Sequence, residues 1–269
     1  MKRKAIELGP LETKLLAYVQ FRKKEIIRTG EISAALDITA KQERDLLSFM
    51  SKKGVVIRLM RGIYLVPLAI PPGGKMAVSE YYILAKLMEV LNGRYQISGP
   101  NAFRFYGFDD QIPNKVYVYN NKLSGERNIG NLAYLFIKVA EKRLGGLNKF
   151  KTKDGSWAVY ASRSRALMDA VYDWSRYNTL PRAYRWISSY VKNDPKAADE
   201  LISVTLRFGN KGTMRRIGFL LESLGIENDD LKKMKRKKGS TKSLIRWIPD
   251  RPSKGSIDKE WGLIINGEI

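Results

Sequence analysis

Lys41, Arg44, Asp45, Ser48 and Lys52 recur at intervals of three and four residues, the spacing that gathers side chains on one face of a helix. Arg58 and Arg61 follow within the stretch VVIRLMRGIYLVP, residues 55–67. The chemistry open to such a set is recognition of nucleic acid. Arg and Lys neutralise phosphates and reach guanine O6 and N7, while Ser serves base or phosphate. Asp45 either accepts from a cytosine amino group or pairs with a neighbouring cation. An ordinary solvated helix would use the same residue types, so the reading depends on what surrounds them.

Other chemistry is thinly represented. The chain of 269 residues has no Cys and no His, which removes disulfides, thiolate nucleophiles, Cys/His zinc sites and imidazole catalysis. Asp109 and Asp110 are adjacent carboxylates just before Pro113, a pattern that reads as a turn. KKGSTKSL (237–244) lacks the spacing of a phosphate loop, and the Gly239–Ser240 pair has no acidic metal ligands close behind it. Tyr172, Trp174, Tyr184, Trp186 and Tyr190 could stack bases or simply fill a core. No enzyme, cofactor or metal is expected from these residues.

The elements around the basic set supply the frame. LETKLLAYVQFRKK has apolar residues at helical spacing, and Thr29 is placed to cap a short helix carrying Ile32, Ala35 and Leu36. Asp37 and Ile38 make a tight turn. Thr39 and Gln42 have capping-box spacing, which starts the next helix, and Gly54 ends it. Leu46, Leu47 and Met50 form its buried stripe, with Glu43 at the edge. The two β-branched runs of 55–67 then read as a hairpin turning at Arg61 and Gly62. Helix, helix, tight turn, helix and hairpin is the order of a winged helix-turn-helix, in which the exposed face of the last helix enters the major groove and the hairpin holds phosphate or the minor groove.

PLAIPPGGKM (67–76) breaks regular structure and predicts a boundary. The expected organisation is α+β: a winged helix-turn-helix at 1–68, a linker at 69–76, and a larger mixed domain at 77–269, strand-rich over 77–160 and helical over 161–238. In TMRRIGFLLESLG the stripe Met214, Ile217, Leu220, Leu221 and Leu224 reads as core, leaving Arg215 and Arg216 on the outer side. Lys and Arg number 49 against 27 Asp and Glu, a net charge of +22. The excess is spread over the chain at +7, +6 and +9 for residues 1–70, 71–160 and 161–269. Such a field favours polyanions through counterion release. No apolar run is long enough to span a bilayer, and no signal-peptide core follows MKRKAIELGP, so a cytoplasmic protein is expected.

Three blocks in order resemble the AbiEi family of antitoxins, from type IV (AbiE) toxin–antitoxin and phage abortive-infection systems. They are RLMRGIYLVPL (58–68), YQISGPNAFRFYGFDDQIPNKVYVYN (95–120), and RALMDAVYDW (165–174) with FGNKGTMRRIGFLLESLG (208–225). The resemblance covers about 11–225 and thins beyond. It implies a winged helix that binds promoter inverted repeats and represses its own operon. It also implies a C-terminal domain that counters a nucleotidyltransferase toxin without a stable complex. Transferred by position, the DNA-binding candidates are Lys41, Arg44, Ser48, Arg58 and Arg61, to which the helix-face reading adds Asp45 and Lys52; Arg215 and Arg216 are candidates for an antitoxic surface. The alternative is an RNA- or tRNA-binding protein that shields a toxin's substrate.

Overall fold

Pro10 lacks an amide hydrogen that a helix's first turn would leave unpaired anyway, and it opens α1 (Pro10–Arg22), which buries Leu15, Leu16 and Val19. Residues 8–69, 75–194, 196–239 and 243–268 are described in the structure, a computed structural model. After α1 come β1 (Ile26–Arg28), α2 (Glu31–Leu36), α3 (Ala40–Lys53), β2 (Ile57–Met60), β3 (Ile63–Leu65) and α4 (Glu80–Val90). Next are β4 (Tyr95–Ile97), α5 (Pro100–Phe105), β5 (Val116–Asn120), β6 (Gly125–Ile129), β7 (Leu132–Lys138), β8 (Leu147–Lys151) and β9 (Trp157–Ala161). Helices follow: α6 (Arg163–Tyr172), α7 (Trp174–Tyr177), α8 (Arg182–Asn193), α9 (Ala197–Phe208), α10 (Lys211–Ser223) and α11 (Asp229–Lys238). The last strands are β10 (Ile245–Arg246), β11 (Ser256–Asp258) and β12 (Leu263–Ile265). The fold is mixed α+β, with strands concentrated before residue 161 and helices after it.

Two compact units divide the chain. The first takes residues 1–93, 124–136 and 151–158; the second takes 94–123, 137–150 and 159–269. The division falls after α4 rather than at the expected linker, of which residues 70–74 lie outside the described residues. A physical reason is visible in the side chains of α4. Tyr82 and Lys86 both hydrogen-bond or pair with Glu25, and Tyr134 donates to the Glu80 carbonyl, so the helix is tied to the first unit.

In the first unit, Leu15, Leu16, Val19, Ile27, Ile32, Leu46, Leu47, Met50, Val55, Val56, Tyr64 and Val66 make one core. Its sheet has three strands in the order β1-β3-β2, all antiparallel, where the sequence predicts a two-stranded hairpin. As the central strand, β3 buries Ile63, Tyr64 and Leu65 alike. The three residues of β1 are too few for an alternating pattern to be legible.

In the second unit, β5, β4, β9 and β8 lie side by side in that order. β4 runs antiparallel to β5 and parallel to β9. α6 is almost wholly buried, packing on α8, α9 and α10. It carries the main polar tie of this unit. The Arg165 Nε donates to Asp169 Oδ2 at 3.0 Å, and its other nitrogens donate to the Gly145 and Arg143 carbonyls at 3.0 and 2.8 Å. Asp169 also accepts from Arg143 and from the Ser98 hydroxyl, at 3.2 and 3.0 Å.

Beside α10 lies the small sheet β10-β12-β11, whose Ile245 side chain comes up to Gly212 of that helix. Gly218 of α10 leaves room for the ring of Trp261, with which a Cβ there would collide. This segment corrects the expectation for Arg215 and Arg216. Both are buried, with 3% and 8% of their surface exposed. The Arg215 Nε donates to the Trp261 carbonyl at 2.7 Å, and its NH2 to the carbonyls of Ser243 and Gly262. Arg216 donates to the Arg246 carbonyl at 2.9 Å. They are not an outer surface because the chain returns across that side of the helix. Burial lowers the pKa of both guanidinium groups.

Candidate nucleic-acid interface

The start of α3 is set by the reciprocal capping box: the Gln42 amide donates to Thr39 Oγ1 at 3.2 Å, and the Thr39 amide donates to Gln42 Oε1 at 2.8 Å. Its end is set by Gly54, whose φ of 77° is left-handed. With both ends fixed, Leu46, Leu47 and Met50 enter the core, and Lys41, Arg44, Asp45, Ser48 and Lys52 are all exposed on the opposite side. Among the described residues none of these five makes a side-chain hydrogen bond or an ion pair, so their polar atoms face water. Phe49, 44% exposed, flanks this face with the Lys53 ammonium 4.1 Å from its ring centroid.

The angle at which α3 is presented depends on a residue whose role the sequence left hidden. Glu43 has no exposed surface. Its carboxylate accepts from the Gly30 amide at 2.8 Å and from the Ile32 amide at 2.9 Å, which caps α2 from the neighbouring helix. Thr29 does not cap that helix; Gly30 holds the cap position with φ 97°. A carboxylate of the next helix takes over the amides, so the expectation for Thr29 is corrected by a contact between helices. Asp37 then turns the chain in the left-handed conformation into Thr39.

Arg58 points to solvent from β2, between buried Ile57 and Leu59. Arg61 is exposed at the turn, where Gly62 adopts φ 75°. A register shift between Arg58 and Met60 marks a bulge that twists the end of this hairpin. The Thr29 amide donates to the Gly62 carbonyl at 2.9 Å and ties the tip to β1. Arg28, the last residue of β1, is opposite Ile63 and exposed. It therefore joins Arg58 and Arg61 as a third arginine of the sheet. Sequence spacing offered no signal for it, because it comes from a strand 29 residues or more before the hairpin. Beneath the sheet, Ile57 packs at Gly130 in the β6–β7 turn.

The electrostatics of this surface are those of isolated cations on a firm scaffold, suited to polyanion binding and to hydrogen bonding with base edges. No group of three or more carboxylates that could hold a metal ion occurs among the described residues. Ser240 lies outside them; Asp109 stands in the irregular segment after α5, accepting from the Gln111 amide and pairing with Arg182 at 2.9 Å. No helix among the described residues is long and apolar enough to cross a membrane.

The fold has a solved counterpart. It is similar to the crystal structure of the RV2827C protein from Mycobacterium tuberculosis, with a TM-score of 0.57 over 96% of this chain and 92% of that one. Identity between the two is 12%, so the likeness is one of fold. No family model matches the chain, and no curated protein does.

Proposed function

We propose that the protein is a DNA-binding autorepressor and antitoxin of the AbiEi type, acting on the promoter of a type IV toxin–antitoxin operon. In this reading α2 and α3 with the sheet β1-β3-β2 form a winged helix-turn-helix. α3 enters the major groove, where Lys41, Arg44 and Ser48 meet base edges and Lys52 meets phosphate. Arg28, Arg58 and Arg61 hold the flanking backbone or reach the minor groove. Asp45 is free to accept from a cytosine amino group, since no neighbouring cation pairs with it among the described residues.

The observation that carries the reading is that every member of this set is exposed, on a helix held at both ends and braced by Glu43. The net charge of +22 supplies the non-specific part of the affinity. The second unit would counter a nucleotidyltransferase toxin without a stable complex, but not through Arg215 and Arg216, which are internal. A gel shift over a salt series, with the chain's own promoter against scrambled duplex, tests the DNA half. The proposal expects specific binding to outlast non-specific binding by about a thousandfold or more in affinity. Equal collapse of both with salt would leave only charge attraction. Co-expression with the neighbouring toxin gene tests the other half, through growth rescue.

A further inference from the structure

A second cationic surface stands apart in sequence from the helix face described above, and belongs wholly to the second unit. An open cavity of about 540 Å³ lies against α8. Its wall is aromatic: Phe108 and Trp186 are stacked at 6.1 Å and 19°, and Tyr190 meets Phe108 edge-on at 6.4 Å. The exposed Arg163 guanidinium sits 5.5–5.8 Å from the ring centroids of Tyr106, Phe108 and Tyr190, with one nitrogen donating to the Tyr106 carbonyl. Arg185, Ser189 and Asn193 line this cavity and also a neighbouring one of about 730 Å³, to which Lys192 and Arg251 contribute.

Among the described residues Arg185 and Lys192 have no ion-pair partner, and the same is true of Arg251. Arg182 is different, being held by Asp109, and it is not counted. The acidic groups at these walls are Asp194 in the first cavity and Glu268 in the second; Asp194 accepts from the Lys196 amide.

We propose that α8 and the rings beside it form a single-stranded nucleic-acid site. One unstacked base lies against the wall of Phe108, Trp186 and Tyr190, and the adjoining phosphates follow Arg163, Arg185 and Lys192 into the second cavity. Aromatic faces bind bases regardless of sequence, and a groove of cations tracks the backbone. A duplex keeps its base faces stacked and cannot use the wall. A mononucleotide would fill the first cavity alone, whereas the cations continue into the next. This site is independent of the operator reading and survives its failure, because none of its residues is in the first unit.

The test uses the full-length chain, in the Arg44→Ala background, with single-stranded RNA and DNA of about 12 nucleotides and mixed sequence carrying 2-aminopurine. Binding should quench the 2-aminopurine. Arg185→Glu with Lys192→Glu, both at exposed positions, should weaken oligonucleotide binding by about tenfold or more while duplex binding stays within about twofold. Trp186→Ala should abolish the quench and Trp186→Phe should retain it. Should Trp186→Ala unfold the protein, the charge-reversal pair and the Trp186→Phe quench decide. Binding without quenching, parallel losses on single strand and duplex, or a nucleoside monophosphate binding as tightly as the oligonucleotide would each overturn the proposal.

Discussion

Asp169 illustrates how a single residue constrains the second unit. It has no exposed surface and receives hydrogen bonds from Arg165, Arg143 and Ser98. Arg143 also reaches Asp173 at 3.4 Å, and burial raises the pKa of that carboxyl despite the Tyr119 hydroxyl and the guanidinium beside it. The members of this cluster satisfy one another, which makes it a structural tie. Removing one charge leaves the other buried and uncompensated, at a cost of about 3–5 kcal/mol. Asp169→Asn is therefore expected to lower the thermal midpoint sharply, and urea unfolding of the two proteins would measure the loss; an unchanged midpoint would mean the cluster is dispensable. The motif RALMD is readable in the sequence, but nothing in its spacing marks its Arg and Asp as internal. Only the tertiary fold shows that a helix stripe this polar sits inside.

At the scale of elements, α3 was legible because its signals are local: a capping box, a stripe of Leu46, Leu47 and Met50, and a terminal glycine. Those signals give the exposed set directly, and the observed exposures agree with it. β1 and the small C-terminal sheet were not legible, since strands of two or three residues carry no period and owe their form to partners far along the chain. The misplacement of Arg215 and Arg216 follows from the same cause: their cover is a segment 28–47 residues away. Glu43 shows the reverse problem, a charged residue whose burial is explained only by amides of another helix. Glu43→Ala should cost about 3 kcal/mol and loosen α2 against α3. Chemical denaturation would read the stability, and amide exchange at Gly30 and Ile32 the loosening. Intact protection of those two amides would contradict the capping role.

The Glu25 contact that holds α4 also gives a pH dependence. Burial opposes ionisation of Glu25, but hydrogen bonds from Lys86 and Tyr82 outweigh it and keep the carboxyl below its ordinary value of 4.5. A depressed folded value contributes stability that is complete above 4.5 and lost as the pH falls through the lower folded value. Wild type should thus exceed Glu25→Gln in stability at neutral pH, and the gap should close on acidification below 4.5. A gap that is constant from pH 7 downward would remove Glu25 as its source.

For the molecule as a whole, charge and composition favour a polyanionic partner without marking a surface for one. The +22 excess is distributed along the chain, and the two units use it differently. In the first, cations project from a helix and a sheet edge with apolar residues beneath. In the second, they line cavities beside aromatic rings, or are spent internally, as at Arg143, Arg165, Arg215 and Arg216. The two compact units divide after α4 and not at 69–76, since Pro and Gly mark broken structure, not the edge of a core. α4 follows the break yet packs with the unit before it.

The central claim is that α3 reads bases while the sheet arginines hold backbone. The most direct measurement is the affinity of Arg44→Ala and Arg61→Ala for the operator and for random duplex over a salt series. Arg44→Ala should lose about 1–3 kcal/mol on the operator with little loss on random DNA, whereas Arg61→Ala should weaken both alike and reduce the salt slope by about one. Equal losses on the two duplexes for Arg44→Ala would contradict the account.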